Sequence, residues 1–260
     1  MYYFWITFIS IFIIIYLCFQ ETTEMYRMKK KKKKKNMRIL IIVISKQNQF
    51  ERWNVEKKFW EMYQQYGKEF NIDVVFSECN ENFTSKETCY DSYIPGIFQK
   101  TILTLGHYKK YDFYLRTNLS TVYIFPYLQK YIQENFSRFH RKPFISGHCH
   151  SWGVSGTGIL MNRKARNILV KEGLHDEYFQ NNSDYDDVLI NKILKNYNTK
   201  IICTPFIYLW NKHTSFDENL QTIQNNHYPS IRLRFDHDNI NFYETVCRSI
   251  LEHFYGPLKL

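Results

Sequence analysis

Short, unbroken apolar runs recur along the chain with helix-length stretches between them, and this alternation restricts the fold more than any other feature. MRILIIVIS (37–45) is rich in Ile and Val and bounded by polar residues, so it reads as a strand buried within a parallel sheet. IDVVFSEC (72–79) reads as a second, and between the two Trp53, Trp60 and Tyr63 share one helical face. Further strands are expected at YDFYLRT (111–117), FISG (144–147), GTGILMN (156–162) and IICTPFIYLW (201–210, interrupted by Pro205). Helices are expected around Ile97–Leu105, Phe125–Glu134, from Asn162 or Arg163 onward, Asp184–Tyr197 and about 241–255. In Asp184–Tyr197, residues Ile190, Ile193, Leu194 and Tyr197 form the apolar face. The order predicts an α/β domain with one mixed sheet flanked by helices. No Gly-x-Gly-x-x-Gly follows the first strand and no P-loop occurs, so dinucleotide and Walker phosphate cradles are excluded.

The apolar run at the N-terminus is different in kind. Tyr2–Phe19 is eighteen residues without a charge, long enough as a helix to cross a bilayer core. It lacks the basic start and small-residue cleavage site of an export signal, so a membrane anchor is preferred. Lys29–Lys35 and Arg27 follow it closely. Of the net charge of +10, residues 1–36 hold +6 and the other 224 residues only +4. The excess is therefore a topology signal, not a nucleic-acid footprint, and positive flanks stay cytosolic. Three parts follow: an anchor (1–20), a basic linker (21–36) that can touch anionic headgroups, and an α/β domain (37–260). The domain is expected in the cytosol, with the lumen of the secretory pathway as the alternative.

Other signals are weaker. The chain has one alanine, Ala165, and abundant Phe, Tyr, Ile, Asn and Lys, a bias of AT-rich codons. Sequons at Asn82, Asn118, Asn135 and Asn181 would be glycosylation candidates in a lumenal protein, but chance explains most of them in so Asn-rich a chain. None of the six cysteines forms a Cys-x-x-Cys pair. Cys149 between His148 and His150 looks like a metal site, but no second ligand cluster supports it. Disulfides are compatible but not required.

Ligands of open α/β sheets sit at the carboxyl ends of strands, which points to Ser45, Glu78 and the cluster Arg116, Thr117, Asn118 and Ser120. Four segments carry candidate chemistry: Lys100, the polar strand end Arg116–Thr121, Ser155-Gly156-Thr157-Gly158, and the acidic helix start Asp184-Tyr185-Asp186-Asp187-Val188. In this order and spacing they resemble the GT-A glycosyltransferases, especially family 31, the fringe and β1,3-galactosyltransferase-like enzymes. The resemblance covers roughly residues 38–210.

It implies an inverting transfer of a sugar from a nucleotide-sugar donor, a UDP-sugar first, to a hydroxyl of a glycan or glycoprotein, here by a chain expected to be membrane-anchored. Asp187 matches the family's general base, with Asp186 as the other candidate; both also fit first-turn acids of a helix. Where the family carries Asp-x-Asp, this chain has Asn118-Leu119-Ser120. These cannot supply the carboxylates that Mn²⁺ or Mg²⁺ prefers, so no metal ligand is assigned and an enzyme weakly dependent on such an ion, or independent of it, is favoured. Arg116, Lys100, His227, Arg232 and Arg234 are candidates to neutralise the leaving diphosphate, and Ser45, Thr117, Asn118 and Ser120 complete the donor side. Trp152, Gly156, Thr157 and Gly158 are candidates for the acceptor side. The competing reading is a binding or scaffold protein with a degenerate transferase-like domain.

Overall fold

The computed structural model describes residues 37–46, 51–79, 89, 92–136, 142–233 and 240–257. The expected membrane span, the lysine linker, Asn82, Asp91, Arg234 and the Asp236-His237-Asp238 triplet lie outside the described residues. No helix among the described residues is long and apolar enough to cross a membrane.

Strand β1 (Ile39–Ile44) is the middle of the parallel half of the sheet, and all six of its residues are buried. It pairs in parallel with β2 (Ile72–Ser77) and with β3 (Phe113–Asn118). A strand flanked on both edges and covered on both faces has no place for polar side chains, which explains the composition of 39–44. Helix α1 (Glu51–Tyr63) and a 3-10 turn (Gln64–Phe70) return the chain from β1 to β2; α2 (Gly96–His107) precedes β3. The full sheet has the order β2-β1-β3-β8-β5-β9, with β5 at Phe144–Gly147, β8 at Gly158–Asn162 and β9 at Lys200–Cys203. Only β8 runs against its neighbours, pairing antiparallel with both β3 and β5.

A second sheet has the order β10-β11-β4. It is built from β4 (Thr121–Tyr123), β10 (Ile207–Leu209) and β11 (Ser230–Arg232). The run 201–210 is thus two strands in two sheets, separated where Pro205 cannot donate to a ladder. A short hairpin pairs β6 (Cys149–His150) with β7 (Gly153–Val154).

The remaining helices are α3 (Phe125–Phe136), α4 (Arg163–Gly173), the single turn α5 (Asp176–Phe179), α6 (Asp186–Lys195), α7 (Phe216–Asn226) and α8 (Ile240–Tyr255). Helices α2, α4 and α6 form one layer, where Phe98, Ile102, Ala165, Leu169, Ile190 and Ile193 pack with Leu40 and Ile42 of β1. An aromatic cluster of Trp60, Tyr63, Phe125 and Tyr255 ties α1, α3 and α8 together. Trp60, Tyr63 and Phe125 are buried and Tyr255 partly so, and burying a side chain of this kind contributes roughly 1.5–3 kcal/mol. Asn162 caps α4 by accepting from Ala165 N at 3.0 Å, as Asn before an apolar periodic run should.

Two sequence expectations are corrected. Tyr197 lies beyond α6 and is 42% exposed, so the buried face of that helix is Leu189, Ile190, Asn191, Ile193 and Leu194 without it. Trp53 is 37% exposed and does not join Trp60 and Tyr63 in the core. Cys149 is bonded to Cys203, and Cys79 to Cys89, so Cys149 cannot serve as a thiolate ligand between its histidines. The elements β4, β6, β7, β11, α5 and α7 had no counterpart in the sequence reading.

Candidate active site

The reversed direction of β8 builds the site. Its register sets Gly158 opposite Thr117, so the segment entering β8, Ser155-Gly156-Thr157, lies against the carboxyl end of β3. Thr117 Oγ1 donates to Thr157 O at 2.9 Å and holds that segment down. Immediately after β3 the chain turns through Asn118-Leu119-Ser120 and leaves the main sheet as β4. Trp60 Nε1 pins this turn by donating to Leu119 O at 3.0 Å. β11 pairs antiparallel with β4 and sets Arg232 opposite Thr121. From there Arg232 Nη1 donates to Asn118 Oδ1 at 2.8 Å, an oxygen that also accepts from Thr121 Oγ1 at 3.1 Å.

Helix α6 aims its first turn at the same place. Asp186 Oδ2 lies 2.5 Å from Arg116 Nη2, with side chains only 11% and 4% exposed. Arg116 Nη1 also donates to Gly156 O. Asp187 Oδ2 accepts from Gly156 N at 2.9 Å, and its Oδ1 from Val188 N at 2.9 Å. Gly156 is squeezed between them, since a Cβ there would come within 2.8 Å of Arg116 Nη1 and 3.4 Å of Asp187 Cβ. Burial pushes the Asp186 carboxyl above its ordinary range and the adjacent Asp187 charge pushes the same way, while the Arg116 guanidinium opposes both.

At the end of β1, Lys100 Nζ donates to Ser45 O at 2.8 Å, and Ser45 Oγ donates to Glu78 Oε1 at 2.6 Å. Lys57 Nζ donates to that same Glu78 oxygen at 2.8 Å. A cleft of about 970 Å³ opens at these strand ends. It is lined by Ser45, Lys100, Arg116, Asn118, Ser120, Trp152, Gly156, Thr157, Asp186, Asp187 and Arg232, which the structure therefore brings together. Thr117 and Gly158 lie behind it: Thr117 is fully buried, and Gly158 is packed under the Tyr123 hydroxyl and Phe206. His227 is elsewhere, at the left-handed C-cap of α7, with its ring stacked on Tyr127 at 5.1 Å. Trp152 is 42% exposed at the cleft wall, backed by His150 at 4.6 Å. The β6–β7 hairpin that carries it is clamped to α6 by Asn191, which bonds both Val154 N and Val154 O.

The sequence reading missed Lys46, Trp53, Glu56 and Tyr93 as cleft residues, while Leu119, Ser155, Tyr185 and Val188 lie in the segments it singled out but were given no role of their own. Glu56 had a usable signal. It sits three residues after Trp53 on the otherwise apolar face of α1 and is 2% exposed. An acid on a buried face needs a reason. Tyr93 and Tyr185 meet edge-on at 5.7 Å and gave no such signal.

The strand-end residues do not fit a divalent ion. Asn118 and Ser120 are neutral, the Leu119 side chain is buried, and the best oxygen, Asn118 Oδ1, already accepts from Arg232. Among the described residues no group of three His, Cys, Asp or Glu side chains is arranged to hold a metal.

No protein-family model and no curated protein matches the sequence. The fold is that of a solved glycosyltransferase. That protein, involved in the glycosylation of the major capsid of PBCV-1, superimposes with a TM-score of 0.51 at 10% identity, covering 80% of this chain and 98% of its own. Two structures of the galactosyltransferase LgtC superimpose more loosely. One is an active-site mutant (TM-score 0.42, 8% identity) and one a complex with donor and acceptor sugar analogues (0.43, 11%). Each covers 81% of this chain and 95% of LgtC. The architecture is thus GT-A-like.

Proposed function

We propose that this chain is a glycosyltransferase that moves a sugar from a nucleotide-sugar donor to an acceptor hydroxyl. The observation that carries the reading is the meeting, in one cleft at the carboxyl ends of β1 and β3, of a helix-start carboxylate, a glycine-lined strand entry and arginine. In this reading Asp187 is the general base. It faces the cleft and is held by two backbone N–H groups, which orient it without neutralising it. Asp186 is engaged by Arg116 and serves to position that turn. The acceptor hydroxyl gives its proton to Asp187 as its oxygen attacks the sugar carbon, and the nucleoside diphosphate leaves from the opposite side with inversion.

Arg232 is the cation we assign to the diphosphate, and Lys46 and Lys100 also line the cleft. The reaction is then independent of a divalent metal. Ser45, Asn118 and Ser120 complete the donor wall, and Trp152 offers a ring face to the acceptor sugar. Convergence of Asn118–Ser120, Ser155–Gly158 and Asp186–Val188 on one cleft supports a relation to family 31. The uncharged run 2–19 supports a membrane anchor.

Release of UDP from UDP-sugars, with and without EDTA and with simple glycoside acceptors, tests the proposal. Turnover abolished by Asp187→Asn with nucleotide binding intact is the expected result. No turnover and no nucleotide binding with any donor would leave the competing reading, a binding protein in which the Asn118–Arg232 contact has closed a former metal position.

A further inference from the structure

Four of the five cysteines among the described residues are joined in two disulfides, Cys79–Cys89 and Cys149–Cys203, and the fifth, Cys247, is buried. Forming each bond removes two electrons and two protons from a pair of thiols, and so requires a disulfide-donating oxidoreductase. Such donors act in the secretory pathway, whereas cytosolic glutathione keeps thiols reduced. The Cys149–Cys203 bond closes a span of 54 residues and ties the hairpin beside Trp152 to the sheet, so it belongs to the construction of the cleft wall. The lysine flank argues for the cytosol, but that bias is a statistical preference of insertion. The redox requirement is chemical, and it favours the oxidising side.

The same inference gives the sequons a meaning. Asn118 is excluded, because its side-chain oxygen accepts from Arg232 and Thr121 inside the cleft. Asn135 sits within helix α3 with its amide donating to Tyr131 O at 2.9 Å. Asn181 differs from both. It lies in the loop between α5 and α6, Asn181 and Ser183 are both exposed, and the Asn181 side chain has no hydrogen-bond partner among the described residues. Its backbone is nonetheless anchored, Asn181 N donating to Asp176 O at 3.1 Å.

We propose that the domain resides on the lumenal side of the membrane and that Asn181 is an N-glycosylation site. The co-substrate is a polyprenyl-diphosphate-linked oligosaccharide presented by an oligosaccharide transferase of the lumen. Asn181 Nδ2 bonds to its anomeric carbon, the bond to the diphosphate oxygen breaks, and the amide proton is lost to base. The proposal stands apart from the sugar-transfer activity of the chain itself.

The test is the full chain produced in a eukaryotic cell, digested with and without peptide N-glycosidase and read by peptide mass spectrometry. The expected result is a glycan on Asn181, converted to Asp on release, and loss of one glycan's gel shift in Asn181→Gln. Ser183→Ala leaves Asn181 in place and should give the same loss, which guards against a folding defect. Under denaturing conditions without reductant, Cys149 and Cys203 should resist alkylation. A bare Asn181, whether or not Asn82 or Asn135 is modified, overturns the site. Ready alkylation of Cys149 and Cys203 overturns the compartment.

Discussion

Among the described residues two arginines line the cleft, and the folding of each side assigns them different work. Arg116, on β3, is 3% exposed and joined to Asp186 and Gly156. Arg232, on β11, is half-buried and bonded to Asn118, a neutral side chain. The first spends its charge on a buried carboxylate and so fixes the turn that presents Asp187. The second donates to the neutral Asn118 and lines the cleft at its half-buried wall. A buried ion pair shapes a site, whereas a cation bonded to an amide can still bind an anion.

The largest expected effect lies on the Arg116 side. Asp187→Asn keeps an oxygen to accept from Gly156 N, so the loop stays while the base is lost. Turnover should fall by about 10²–10⁴-fold with donor affinity unchanged, read by nucleotide release and calorimetry. An equal fall in donor affinity would mean that Asp187 belongs to the donor wall.

Next is Arg116→Met, which leaves Asp186 as a buried carboxylate without its partner. Loss of one member of such a pair costs about 3–5 kcal/mol of stability. The pH dependence identifies the cause. Asp186 already titrates above its ordinary value of 3.8 because of burial, and removing Arg116 takes away the contribution that lowers it. A carboxyl with a raised folded-state pKa favours the fold at low pH, and that benefit is lost as pH rises through the folded pKa. The deficit of Arg116→Met should therefore be largest near neutrality and shrink on acidification, as thermal melts across pH would show. A deficit independent of pH would point to lost packing alone.

This contrast also separates what was legible in the sequence from what was not. The six buried residues of β1, the short strand Phe144–Gly147 and the Asn162 cap announce themselves, because burial on two faces and capping leave local signatures. The convergence of Arg116, Gly156, Asp186 and Asp187 was legible only as order along the chain. Their joining depends on β8 running backwards, and no local pattern reports strand direction. β4 and β11 have three residues each, too few for periodicity, so the second sheet that delivers Arg232 was invisible. His227 was chosen for its chemistry alone, and the fold placed it at a helix end away from the cleft.

Arg232→Ala tests the other arginine. Donor KM should rise about tenfold, equivalent to 1.4 kcal/mol, with kcat changed less and folding intact. Arg232→Lys should recover part of it, as a point charge replaces a fork. EDTA should leave the parent enzyme's rate unchanged; a loss of rate restored by Mn²⁺ would remove Arg232 from the role of principal counter-charge.

The smallest effect is the most discriminating, because it turns one arginine into the other. Asn118→Asp puts a carboxylate 2.8 Å from Arg232 Nη1, the arrangement Arg116 already has with Asp186. The new pair is only partly buried, so its gain in stability should stay within about 1 kcal/mol. Its effect on the donor should have the opposite sign, since the carboxylate competes with the diphosphate for the guanidinium and repels it. Donor KM should rise a few-fold in EDTA, and Mn²⁺ should reverse the rise, because a carboxylate at this strand end supplies the hard oxygen that the amide does not. A rise that Mn²⁺ leaves untouched would show that the turn at 118–120 is shaped for an arginine and an amide, and that one carboxylate does not make it a metal site.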